Sequence, residues 1–310
     1  MKNIYEVARE NKIKSAIVII GFLVFVTLAI YFISQAIGIY AGYEPGGLGM
    51  VGIALIISGL MSIGGYYFSD RIVLSISGAR PADRRKEFNF YTVAENLSIA
   101  SGIPKPKLYV IEDSAPNAFA TGRDPEHAVV CATTGILRKL DRTELEGVIA
   151  HELTHVKNYD TRLMSVVAVL VGCVALLADW FFRMTWYGRR RDSEGKSGQL
   201  AAVIMIIGVV FAILSPIIAQ LIQLAISRRR EFMADAGSVE LTRQPAGLIS
   251  ALKKISEDHE TLEAANKATA HLYIVNPFKE KVESAVGWFA GLFNTHPPMT
   301  ERIKLLEQMT

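Results

Sequence analysis

The chain has 310 residues, of which 51% are hydrophobic and only 20% charged, with a formal net charge of +3. Its mean hydropathy of +0.28 excludes a molecule that is an ordinary water-soluble globule along its whole length. The small net charge argues against nucleic acid as a partner, and two cysteines, Cys131 and Cys173, with no C-x-x-C pair, exclude a disulfide framework and read as reduced packing residues.

Lys2, Arg9, Lys12 and Lys14 precede a first apolar run, Ala16 to Ile39, and a second run, Gly46 to Ser69, follows almost at once. Both are uncharged and reach the roughly 20 residues that a membrane span requires. The first is too long for the core of a cleaved leader, so residues 1–69 are expected to form a retained two-helix transmembrane hairpin. The connector GIYAGYEPGG carries no basic residue, whereas Arg71, Arg80, Arg84, Arg85 and Lys86 follow the second run. By the bias of basic residues towards the cytoplasmic side, the N-terminus and residues 70–160 are expected in the cytoplasm.

Next come the strand-like stretches KLYVIE and HAVVCATT, and then DRTELEGVIAHELTHVKNY, which reads as a helix. Asp141 with Glu144 three residues on fits a capping box, and Leu145, Val148, Ile149, Leu153 and Val156 supply an apolar stripe. Residues four apart share a helix face, so His151 and His155 can grip one metal ion. Glu152 would stand beside the open coordination position, placed to take a proton from an attacking water. The bland alternative is a pair of ordinary helical histidines, and the motif alone does not decide between them.

A third apolar run, Leu163 to Ala178, ends at Asp179 and the aromatic Trp180, Phe181 and Phe182; a fourth, Leu200 to Ser227, contains Pro216 as a kink. Between them lie Arg183, Arg189, Arg190, Arg191 and Lys196, which sit badly outside a membrane. Residues 162–227 therefore form a second hydrophobic hairpin that either crosses fully or inserts only in part; both return the chain to the cytoplasmic side. In SRRREFMADAGSVE, Glu231 and Asp235 then stand four apart at the start of another helical stretch. Glu231 can complete a set of two histidines and a glutamate, with Asp235 orienting a histidine N–H one turn along. Otherwise Glu231 pairs with Arg228 to Arg230. On the first reading the ligand lies 76 residues beyond His155 because the hairpin is inserted between the two halves of the site. His155 is eight residues before Leu163, ~12 Å along a continuous helix, which sets the metal close to the bilayer surface.

With HELTH and EFMAD in place, the sequence resembles the HtpX family of membrane zinc endopeptidases, heat-shock-linked relatives of the CAAX prenyl proteases, over nearly its whole length. The resemblance implies an integral membrane protein, mainly α-helical, with about four transmembrane helices and a zincin-type (gluzincin) α+β catalytic domain. It divides the chain into the hairpin of residues 1–69, a catalytic part at 70–161, the second hairpin at 162–227, and a helical part at 228–310 bearing the third ligand. Two further stretches match the family. NAFATG implies an edge strand in which Asn117, Ala118, Phe119 and Ala120 bind extended substrate backbone, where the residues alone allow an ordinary edge strand. THPP, with Arg302 after it, implies that His296 donates to the oxyanion, where the residues alone allow a loop histidine satisfied by backbone.

The reading is a cell-membrane zinc metalloendopeptidase with its site facing the cytoplasm, holding one Zn²⁺ per chain on His151, His155 and Glu231. Its partners would be the bilayer and unfolded or membrane proteins, in quality control of damaged chains. The rivals are a more specific processing peptidase, a non-catalytic zinc scaffold, against which Glu152 speaks, and a transporter, against which the uncharged apolar runs speak.

Overall fold

The computed structural model describes residues 4–41, 47–172, 228–258, 260–264, 269–275, 277 and 297–309. Two long helices, α1 (Ile4–Ala41) and α2 (Gly47–Tyr67), pack against each other and lead through the short α3 (Ser69–Ile76) into the sheet. Among the described residues no helix is long and apolar enough to cross a membrane. The stretch 173–227, with the fourth apolar run and its basic connector, lies outside the described residues, as does Cys173.

Four strands, β1 (Arg80–Pro81), β2 (Lys107–Ile111), β3 (Ala118–Thr121) and β4 (Val129–Thr133), form one sheet in the order β1-β2-β4-β3. β2 and β4 run parallel, with Leu108 opposite Val130, and the two outer pairings are antiparallel. All of β4 is buried, as a strand covered on both faces must be. Because side chains alternate along a strand, Val130 and Ala132 enter one core with Phe90, Val93 and Leu97 of α4 (Phe88–Ser101), Ile136 of α5 (Thr134–Lys139), and Val148 and Ile149 of α6 (Arg142–Lys157). Cys131 and Phe119 enter the other core. It contains Val18 and Phe22 of α1 and Leu163, Val167 and Leu170 of α7, whose described part is residues 160–172. The Cys131 thiol is free and its pKa is pushed up by burial, in keeping with a packing role.

This is the expected α+β arrangement, and α6 is its pivot. Its start is set locally: Asp141 accepts from the Glu144 N–H at 2.9 Å, and Glu144 accepts from the Asp141 N–H at 2.9 Å. The helix does not run on through Tyr159, as the sequence suggested. It stops at Lys157, and Tyr159 takes a left-handed φ of 59° before α7 begins, so the ~12 Å reckoning along one continuous helix does not apply. Next in the described chain come α8 (Arg228–Thr242) and α9 (Pro245–Ser256), both packed on α6; α10 (Met299–Glu307) closes it.

Candidate metal centre

His151 and His155 stand on one face of α6, a turn apart, both buried. Their Nε2 atoms lie 3.2 Å from each other. Across from them, α8 presents Glu231, one carboxylate oxygen 3.6 Å from His155 Nε2 and the other 3.7 Å from His151 Nε2. The three residues offer donor atoms that all fall within 4.8 Å of one another. Donors around a four-coordinate divalent ion with bonds of about 2.0–2.1 Å lie about 3.3 Å apart, so this set fits a metal. Two imidazoles and a carboxylate are also the right chemistry for one.

The far sides of both rings are held as well. His151 Nδ1 is 3.0 Å from Asp235 Oδ1, and His155 Nδ1 is 2.9 Å from Asp160 Oδ2. An Nδ1–H given to a carboxylate fixes the tautomer that turns Nε2 inward as a ligand. Burial alone would lower the His151 pKa, but the Asp235 and Glu231 carboxylates outweigh it and push it up to about 9. Glu152, on the same turn of α6, is buried, and that burial raises its pKa against the opposing pull of both histidines.

Two members of this site carry no sequence assignment. Asp160 is one; its signal, an acid five residues past His155, points the wrong way on any continuous helix. Arg302 of α10 is the other. It is fully buried and grips Asp235 with two bonds, Nε to Oδ2 at 2.9 Å and Nη2 to Oδ1 at 2.6 Å. Burial would raise the Asp235 pKa, yet Arg302 and His151 hold it below the ordinary range.

The structure thus brings His151, Glu152, His155, Glu231 and Asp235 together. Residues Asn117, Ala118, Phe119 and Ala120 fall on or beside β3, the outer strand of the sheet. The Asn117 carbonyl accepts from Thr133 of β4, so by the period of two the outward backbone groups fall at Ala118 and Ala120. Part of that edge is taken by the chain itself. Ala118 O accepts from Ile274 N at 3.0 Å, Asn117 Nδ2 donates to Val275 O at 2.9 Å, and Arg302 Nη1 donates to Ile274 O at 3.3 Å. Phe119 turns away from the edge and stacks edge-on against Tyr273. His296 lies outside the described residues.

Comparison with known proteins bears on the chemistry. The model of peptidase family M48 matches residues 85–310. The "Protease HtpX homolog" of Dictyoglomus thermophilum is 43% identical over 305 residues, covering 98% of this chain and 94% of that one. The homolog of Caldanaerobacter subterraneus subsp. tengcongensis is 40% identical over 100% of this chain and 99% of that one, and that of Streptococcus uberis 39% over 99% and 100%. Likeness of this depth, running through the segment that gathers the three donors, makes the chain a member of peptidase family M48, beside the HtpX proteases: it is a metalloendopeptidase.

Proposed function

We propose that the chain is a zinc endopeptidase seated in a membrane, which cuts exposed or unfolded segments of membrane proteins as part of their quality control. The observation that carries it is the meeting of His151, His155 and Glu231 around one buried point, with Glu152 beside them on α6. Bound there, zinc would supply a Lewis acid that polarises the scissile carbonyl and brings the pKa of water to about 7.

His151, His155 and Glu231 hold the ion, and Asp235 and Asp160 keep the two rings turned toward it. Glu152 takes a proton from the attacking water and returns it to the leaving amine. Its burial-raised pKa suits both halves of that exchange. His296 is the proposed donor to the oxyanion that develops on the scissile carbonyl. Substrate backbone adds along β3, taking the pairing with Asn117 and Ala118 that Ile274 and Val275 now make. Recognition of backbone leaves sequence preference loose.

The seat in a membrane is supported by the outer surfaces of α1 and α2. Ile17, Ile20, Val24 and Leu28 face outward on one helix and Ile53, Ile56, Leu60 and Ile63 on the other, a patch costly in water. Thr27 and Ser58 share a 2.9 Å hydrogen bond buried between them, a polar pairing suited to apolar surroundings. The charged start of α1 adjoins the metal centre, with Lys12 over the Tyr159 ring at 4.0 Å. A cytoplasmic N-terminus therefore goes with a cytoplasmic site.

Digestion of unfolded casein by the detergent-solubilised protein, with bound zinc quantified, tests the reading. Wild type should cleave with one zinc per chain. Glu152→Gln should keep the zinc and lose at least ~100-fold in rate, and Glu231→Ala should lose the zinc. Full activity in Glu152→Gln would overturn the mechanism and favour a zinc scaffold.

A further inference from the structure

Asn11 precedes the first apolar run of the sequence, among the charges that would set membrane orientation, and nothing in that role requires an asparagine. In the fold it is buried to 1% exposure, and its amide reaches 147 and 149 residues along the chain. One N–H goes to the Asn158 carbonyl at 3.0 Å and one to Asp160 Oδ1 at 2.7 Å. The other oxygen of that carboxylate, Oδ2, is the one that receives His155 Nδ1. Arg230, next to Glu231 on α8, approaches Oδ1 at 3.4 Å.

The turn that aims Asp160 is itself an unfavourable one. Tyr159 sits at φ 59°, a region that a bulky residue adopts only when its surroundings impose it. Those surroundings come largely from α1. Asn11 holds the carbonyl just before the turn, Lys12 lies over the Tyr159 ring at 4.0 Å, and Arg162 of α7 covers the same ring at 5.5 Å. Without α1, Asp160 would lose a charge-assisted hydrogen bond, and the turn that delivers it would lose two of its restraints.

We propose that Asn11 is a positioning residue of the metal centre, acting through Asp160 on His155, so that docking of the N-terminal helix is a condition for tight metal binding. The proposal rests on the zinc reading above. Carboxylates behind a ligating histidine change metal affinity by roughly 10- to 100-fold when removed. Asn11 supports such a carboxylate, so its removal is expected to cost about tenfold in zinc affinity.

The test uses the full-length protein in detergent, titrated with zinc against a competing chelator, and with cobalt as a spectroscopic reporter of ligand geometry. Asn11→Leu keeps the side-chain size and removes the donor; Asn11→Ser is the milder variant should Leu fail to fold. Asp160→Asn and the double variant complete a cycle. The proposal expects about tenfold weaker zinc binding in Asn11→Leu, an altered cobalt spectrum, and a double variant no weaker than Asp160→Asn alone. A folded Asn11 variant that binds zinc within twofold of wild type, with an unchanged cobalt spectrum, overturns it. So do additive losses, which would mean that Asn11 supports the fold and not the ligand. If wild type itself fails to bind zinc stoichiometrically, the functional reading fails first, and the two failures are thereby told apart.

Discussion

Arg302 carries its charge with no exposed surface, so solvent screening does little for it and its partners decide its energy. Both bonds of the fork go to Asp235, whose Oδ1 also faces His151 Nδ1 at 3.0 Å. Removing the guanidinium leaves a carboxylate buried without its main counter-charge, which costs roughly 3–5 kcal/mol where a buried pair is broken from one side. Arg302→Leu should therefore lower the denaturation midpoint sharply, and Arg302→Leu with Asp235→Asn should recover part of the loss because the stranded charge is gone. A single variant as stable as wild type, followed by urea in detergent, would contradict this. His151 and His155 were readable from spacing because they share one helix, whereas Glu231 rested on the need for a third ligand and on the resemblance. Arg302 was not readable in this role: its partner is 67 residues away and a lone arginine after THPP has no period to betray it. Asp160 escaped for a different reason, since the turn at Tyr159 that redirects it has no sequence mark.

At the scale of elements, α6 must be approached closely by both α8 and α9 for its histidines to meet Glu231. Gly147 allows this. A Cβ there would stand 2.7 Å from the backbone nitrogen of Leu248 in α9, and the Gly147 carbonyl accepts from Ser238 Oγ of α8 at 2.7 Å. The Leu248 atoms that a Cβ would meet are backbone and the fixed Cβ, not the loose end of a side chain. Gly147→Ala should push the helices apart, at a cost on the order of 1–3 kcal/mol, despite alanine's better helix propensity. The expected readout is a lower thermal midpoint together with weaker zinc retention; a raised midpoint would show that propensity wins and the helices can yield. The start of α6 was legible, because Asp141 and Glu144 act on their own backbone. The glycine was silent, since its meaning lies in residues a hundred positions on. Glu144, three residues before Gly147 on α6, also accepts from Ser250 Oγ at 2.6 Å and the Lys254 ammonium at 2.8 Å, so a local cap doubles as a tie to α9.

For the whole molecule, hydropathy marks the apolar runs Ala16 to Ile39 and Gly46 to Ser69 without knowledge of contacts, and they fall on α1 and α2. What hydropathy does not carry is that α1 contributes to both an exposed apolar surface and the core beneath the sheet, where Val18 and Phe22 pack with Cys131 and Phe119. The proposed membrane seat predicts that Ile56, 64% exposed midway along α2, faces lipid. Ile56→Lys should then oppose insertion by about 2.5–3.5 kcal/mol and reduce the carbonate-resistant fraction in membranes. Unchanged resistance would place that face elsewhere.

The pairing of Ile274 and Val275 with Asn117 and Ala118 has a kinetic side. A segment tied to the same chain competes for the edge of β3 as though present at millimolar effective concentration, whatever the dilution of the protein. A free peptide in micromolar amounts would rarely displace it. On the proposed membrane seat, a damaged chain confined to the same bilayer is itself concentrated by tethering and competes on nearly equal terms. Discrimination between a neighbour in the membrane and a passer-by in solution could then arise from confinement alone, without a single side chain being read.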